Sequence, residues 1–187
     1  MIDVHVIERP NANQEWVSKA IRSIPSHLCK VHHILEGSRS IAENRQIGFK
    51  LGDAEYVSFV DDDDYALPGA FEECFKFLEN NPSYDAVGTL ENKLLESGEV
   101  LEPDMSIVDM VEAPGSMTPW MAFHHIWVIR RDSLTPHLSV MDGYLRPERK
   151  LLKELYSVGK KAKLLSYVGY TWRIHKDSYI QSLISVQ

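Results

Sequence analysis

Four consecutive aspartates, Asp61 to Asp64, are the residues of this chain best suited to chemistry. In an extended chain alternate residues point the same way, so Asp61 and Asp63 are expected on one face, roughly 6–7 Å apart. Carboxylates crowded that closely repel one another and recruit a hard divalent cation. The run follows Tyr56 to Val60, a β-branched and aromatic stretch that reads as a strand. It precedes Pro68, a residue suited to the first position of a helix. Carboxylates at the carboxyl end of a central strand lie where open α/β sheets bind ligands. Without those flanks an Asp run is a solvated turn. Two other metal-using motifs fail on the residues present. An EF-hand loop starting at Asp61 would need Gly where Ala66 stands and is interrupted by Pro68. A phosphatase of the Asp-x-Asp-x-Thr type would need Thr where Tyr65 stands.

The elements that must position these acids alternate between strand and helix, which predicts an α/β sandwich. Ile2 to Ile7 reads as a first strand, broken by Pro10. Trp16, Val17, Ala20, Ile21 and Ile24 recur at helical spacing up to Pro25. Val31 to Leu35 is a short second strand. Ser40-Ile41-Ala42-Glu43 has the form of a capping box, opening a helix that ends near Gly52. After the acidic run, Phe71, Cys74, Phe75 and Leu78 form one apolar helical face, ended by Asn80-Asn81-Pro82. Tyr84 to Leu90 reads as a fourth strand, residues 91–119 as an irregular excursion, and Trp120 to Ile129 as a buried strand. Pro147 opens a helix carrying Leu151, Leu152 and Leu155, with Gly159 as its stop, and Lys163 to Ile174 is the last strand.

Residues 52–68, Gly-Asp-Ala-Glu-Tyr-Val-Ser-Phe-Val-Asp-Asp-Asp-Asp-Tyr-Ala-Leu-Pro, resemble the central signature of GT-A-fold glycosyltransferases. The pattern is closest to family 2, with its Ala-x-Gly-Glu-Tyr-Ile-x-Phe-Leu-Asp-x-Asp-Asp run followed by Pro. Glu43 to Ile47 resembles that family's Arg-Asn-x-Gly-Ile helix, with Glu43 in place of the Arg and Asn44 retained. Trp172-Arg173-Ile174-His175, followed by Ser178, resembles its Tyr-Arg-x-His-x-x-Ser ending.

The resemblance implies a GT-A-like single domain over residues 1–187 with a mixed, mainly parallel sheet flanked by helices. Residues 1–90 or so would bind a nucleotide-sugar, and about 91–187 would face the acceptor. It implies an inverting transfer to a hydroxyl with Mn²⁺ or Mg²⁺ as cofactor, the ion acting as Lewis acid on the departing diphosphate. Asp63 matches the family's metal-binding carboxylate. Asp61 matches the first acid of the motif, which contacts donor ribose or metal-bound water, and His175 is a further metal or pyrophosphate ligand. Asp62 is placed with the donor contacts, though it and Asp64 could equally face solvent. Glu36 stands at the base-reading acid pair, and Arg9-Pro10-Asn11 loosely echoes the family's N-terminal turn, which puts Arg9, Glu36 and Asn44 on the donor. The family's catalytic acid opens a helix about eleven residues before a Gly, and counting back from Gly159 gives Glu148. At a helix start it suits a general base; Asp142 is the reserve.

His32-His33 and His124-His125 are expected to be structural, since adjacent strand residues face opposite ways. Of Trp120, Trp127 and Trp172, at least two belong to the core. Charge is unevenly spread. Arg130 to Lys176 carries eleven Lys/Arg against four Asp/Glu in a chain of net charge −7. That basic stretch keeps a phosphate-bearing acceptor open, DNA included, while overall acidity disfavours non-specific nucleic-acid binding. At 187 residues and 44% hydrophobic the chain can bury a core. No apolar run reaches membrane-span length. Two cysteines make neither a disulfide framework nor a Cys-rich metal site. With no signal peptide at the N-terminus, these features point to the cytoplasm. The competing functions are a non-catalytic nucleotide-sugar or carbohydrate-binding module of the same fold and a metal-dependent nucleotidyl- or phosphotransferase.

Overall fold

The computed structural model describes residues 1–103, 126–143 and 147–176. In chain order these form β1 (Ile2–Glu8), α1 (Gln14–Arg22), β2 (Cys29–Leu35), α2 (Ile41–Lys50), β3 (Tyr56–Asp61), β4 (Tyr65–Ala66) and α3 (Ala70–Asn80). There follow β5 (Ala86–Leu95), β6 (Val100–Leu101), β7 (Trp127–Arg130), α4 (Arg131–Leu134), a 3-10 segment (Thr135–Met141), α5 (Pro147–Ser157) and β8 (Ala162–Ile174). The strands make one mixed sheet in the order β2-β1-β3-β7-β5-β8-β4, with β6 paired to β5. Parallel pairing joins the long strands β1 to β2, β1 to β3 and β5 to β8. Antiparallel pairing brings in the short strands β4, β6 and β7.

Local signals act where they stand. Ser40 accepts from the Glu43 amide, and the Glu43 carboxylate accepts from the Ser40 amide, so the capping box starts α2 as expected. At α1 the Asn13 side-chain oxygen accepts from the Glu15 and Trp16 amides, a one-sided cap. Past α5, Gly159 takes a positive φ of 80°, and the Lys160 amide donates to Leu155 O, closing the helix. Three expectations shift. Pro68 precedes the first turn instead of occupying it: α3 begins at Ala70 after Gly69. The strand expected over Tyr84 to Leu90 runs on to Leu95 and turns back through β6, so the first part of 91–119 is a hairpin. Within Trp120 to Ile129 only the end is described, where β7 starts at Trp127.

Strand alternation splits the core between the two faces of the sheet. Ile2, Val4, Val6, Tyr56 and Val60 pack with α1 and α3. Val57 and Phe59 pack with α2, α5 and the 3-10 segment. On that second face β1 presents Asp3 and His5, both buried. Two glycines at α2 make room for them. A Cβ on Gly48 would stand 2.4 Å from His5 Cγ, and one on Gly52, at φ +75°, would meet the Asp3 carboxylate. Asp3 accepts from the Ala54 amide and Arg131 and lies 2.7 Å from His32 Nε2. Burial raises its pKa, but these partners outweigh it and the net shift is downward. His32 and His33 are thus structural, the latter 2.7 Å from Glu8; His124 and His125 lie outside the described residues. Trp127 is buried and Trp172 packs at the core's edge, while Trp120 also lies outside the described residues.

Candidate active site

Parallel pairing of β1 with β3 sets Ile7 beside Asp61, so the loops leaving both strands emerge together. Pairing of β4 with β8 draws the end of β8 over the same turn. The acidic run is not extended. β3 stops at Asp61 and the Asp64 amide donates back to Asp61 O at 3.2 Å. The expectation that Asp61 and Asp63 share a strand face is therefore corrected: Asp61 pairs with Arg45, while Asp63 shares Arg9 with Asp62. Asp62 and Asp64 are also not solvent-facing, at 3% and 2% exposure.

Asp64 accepts from the Arg173 amide at 2.7 Å and from the Tyr170 hydroxyl at 3.0 Å. That hydroxyl in turn accepts from the Asp61 amide, which ties β8 to the turn. Asp62 accepts from the Arg9 backbone amide at 2.9 Å and from its Nε at 2.9 Å, and pairs with Nη2 at 2.8 Å. Burial leaves its pKa raised despite Arg9. Asp63 Oδ2 accepts from Arg9 Nη2 at 2.7 Å and lies 3.0 Å from His175 Nε2. His175 is buried, with its ring edge-on to Trp16 at 4.9 Å. Arg173 stacks its guanidinium over the same Trp16 and donates to Asp63 O.

Asp61 faces Arg45, which no motif in the sequence marks. Arg45, buried in α2, donates from Nη2 to Asp61 Oδ1 at 2.6 Å and from Nε to Glu148 Oε1 at 2.7 Å. Its guanidinium lies over the Phe59 ring, 3.9 Å from the centroid, and Nη1 is 3.3 Å from His5 Nε2. Burial alone would lower the pKa of Arg45, but the two carboxylates more than offset it and the cation is retained. His5 is pushed well below its ordinary 6.5, by burial first and Arg45 second, so it faces the guanidinium as a neutral ring. Glu148, in the first turn of α5, is thereby fastened to α2 across 103 residues of sequence and, through Arg45, to the acid at the end of β3. Asp142, the reserve base, accepts from Gln46 Nε2 at 2.5 Å, one position along α2 from Arg45.

Asn44 is wholly buried and its amide organises the loop before α2. It donates to Glu36 O, Arg39 O and Ser40 O and accepts from Arg39 Nε. Glu36 itself is half-buried at the end of β2.

Among the described residues no three His, Cys, Asp or Glu side chains gather on one point. Asp61, expected as a metal ligand, points its Oδ1 at Arg45. Asp63 and His175 do meet, and a carboxylate oxygen with an imidazole nitrogen suits Mn²⁺. Hard divalent ions at nucleotide sites are held by one or two protein groups with phosphates completing the shell. The donor set therefore fits an ion that a diphosphate would complete, through Asp63 and His175.

Residues 17–138, more than half of the chain, match the model of the family described as Glycosyl transferase family 2. The fold is shared with S. aureus TarS. The structure of TarS 1-349 superimposes with a TM-score of 0.69 at 15% identity, covering 99% of this chain and 64% of that one. TarS 1-349 in complex with UDP-GlcNAc gives 0.68 at 14% identity, with 97% and 60% covered. The complex with UDP gives 0.65 at 14%, with 94% and 61% covered. At such identities the likeness is one of fold, and this chain spans about three fifths of the length of those structures. No curated protein matches it in sequence. Among the described residues no helix is long and apolar enough to cross a membrane.

Proposed function

Because this chain belongs to glycosyl transferase family 2 and has a GT-A-like α/β fold, we propose that it moves a sugar from a nucleotide-sugar to an acceptor hydroxyl with inversion. The observation that carries this reading is Arg45. One buried guanidinium holds both Asp61, beside the acidic turn, and Glu148, at the start of α5. An inverting transfer needs a donor-side acid cluster and, across from the leaving group, a base for the incoming hydroxyl.

In this reading a UDP-sugar, the class of ligand present in the TarS complexes, lies over the ends of β1 and β3. Glu36, on the loop organised by Asn44, faces the base, and Asp61 faces the ribose. Arg9 takes the diphosphate, with Asp62 as its anchor. Asp63 and His175 hold Mn²⁺ or Mg²⁺, which when bound supplies Lewis-acid stabilisation to the departing diphosphate. Glu148 removes the acceptor proton, and Arg45 fixes its rotamer. Residues 1–90 serve the donor and the later half the acceptor, whether hexose or pentose is moved. Arg149, Lys150 and Lys153 share α5 with Glu148 and favour a phosphate-bearing acceptor. Free, buried Cys29 and Cys74, with the Cys29 thiol pushed up to about 12 by burial, suit a reducing cytoplasm.

The same salt bridge favours a second reading. Glu148 Oε1 already accepts from Arg45 Nε, so that oxygen is engaged by the protein and not turned to an incoming hydroxyl, as a non-catalytic nucleotide-sugar-binding module would have it. A panel of nucleotide-sugars separates the two. Turnover or hydrolysis that falls about 10²–10⁴-fold in Glu148→Gln, with donor affinity kept, supports the transferase. Thermal protection by a nucleotide-sugar without turnover in either protein supports the module.

A further inference from the structure

The side chain of Arg9 lies against the acidic turn as a cation would. Its Nη2 is 2.7 Å from Asp63 Oδ2 and 2.8 Å from Asp62 Oδ1, and its Nε is 2.9 Å from Asp62 Oδ1. Asp63 Oδ2 is thus shared between the guanidinium and His175, the two groups on either side of the carboxylate that would hold an ion. A guanidinium in contact with Asp63 and a divalent ion on the same carboxylate repel each other. The backbone amide of Arg9 is fastened separately to Asp62 Oδ2, so the loop keeps its place whatever the side chain does. Asp62 is buried, but the Arg9 side chain is 35% exposed, so a ligand arriving from solvent can reach it.

We propose that Arg9 is the resident counter-cation of Asp63, that it competes with the divalent ion, and that a nucleoside diphosphate draws it away and so admits the ion. The inference rests on the reading of Asp63 and His175 as ion ligands. A diphosphate offers a planar guanidinium paired oxygens and more negative charge than one carboxylate. Transfer of the Arg9 fork from Asp63 to phosphate relieves the repulsion at the ion site while Asp62 keeps the backbone amide. Ion and diphosphate then bind with positive coupling, each strengthening the other by the same factor.

The test measures Mn²⁺ binding by electron paramagnetic resonance, with the ion alone and with UDP, in wild type, Arg9→Gln and Arg9→Lys. Wild type is expected to bind Mn²⁺ weakly alone and at least tenfold more tightly with UDP. Arg9→Gln should bind Mn²⁺ alone on the order of 10- to 100-fold more tightly than wild type, the range of a charge-assisted hydrogen bond, and should lose that share of the UDP effect. Arg9→Lys should fall between, because a point charge cannot span both carboxylates. Equal or weaker binding of Mn²⁺ alone by Arg9→Gln, in a protein that melts like wild type, overturns the proposal. If Arg9→Gln does not fold, Arg9→Lys decides by the same comparison. Binding of UDP with no Mn²⁺ uptake in any protein removes the ion reading itself, and this proposal with it.

Discussion

Replacing Arg45 by Met keeps most of its volume in the pocket of His5 and Phe59 and deletes the charge. Asp61 and Glu148 then lose their common partner. Removing one member of a buried ion pair costs about 3–5 kcal/mol when the other is left fully buried. Here the stranded side chains are 32% and 21% exposed, so they recover part of their hydration. The expected loss is therefore about 2–4 kcal/mol. With roughly 2 cal/mol/K of unfolding entropy per residue, that lowers the melting temperature of a 187-residue chain by about 5–10 °C. Calorimetry on Arg45→Met, Glu148→Gln and the double variant closes the cycle. A coupling of about 1–3 kcal/mol is expected for groups in direct contact. Arg45→Lys should not restore it, since an ammonium cannot fork between two carboxylates. A melting temperature within 1 °C of wild type, or a coupling under about 0.5 kcal/mol, would refute the clamp and with it the placement of Glu148.

Other outcomes follow from the same geometry. Asp63→Ala should abolish the Mn²⁺-dependent part of UDP binding in calorimetry, in a protein that still unfolds cooperatively; an unchanged metal dependence removes the assignment of Asp63. His5 stays neutral in the folded protein while the unfolded chain protonates near 6.5, so stability should fall as pH drops below that value, by up to about 1.4 kcal/mol per unit. Urea midpoints between pH 7.5 and 5.5 should show a shallower decline in His5→Phe, and equal slopes contradict the assignment. Neutralising Arg149 and Lys153 to Gln should weaken use of a phosphate-bearing acceptor and flatten its salt dependence, with donor hydrolysis unchanged; equal loss of both activities points to the donor side. Arg146, of the same basic stretch, lies outside the described residues.

Much of this protein was legible in the chain because the signals act over a few residues. Periodicity, the Ser40–Glu43 box, the strand before Asp61 and the stop at Gly159 are local chemistry, and the elements they mark stand within a few residues of their expected places. The acidic turn with its flanks was enough to point to the family. Spacing also placed Glu148 at the start of α5.

Which charges meet was not legible, because pairing between distant elements depends on how they pack. Ile2-Asp3-Val4-His5-Val6 alternates as a half-solvated strand would, yet α2 lies over the polar face and buries Asp3 and His5. Only Gly48 and Gly52 permit that approach. An extended reading of Asp61 to Asp64 put alternate carboxylates together. The chain turns there instead, and the loop after β1, α2 and β8 each supply a partner to a different aspartate. Arg45 was invisible as a site residue because a lone arginine on a short helix is usually solvated. It becomes the centre of the site only when β3 and α5 close over it. A buried cation must then find carboxylates, and the two within reach are Asp61 and Glu148.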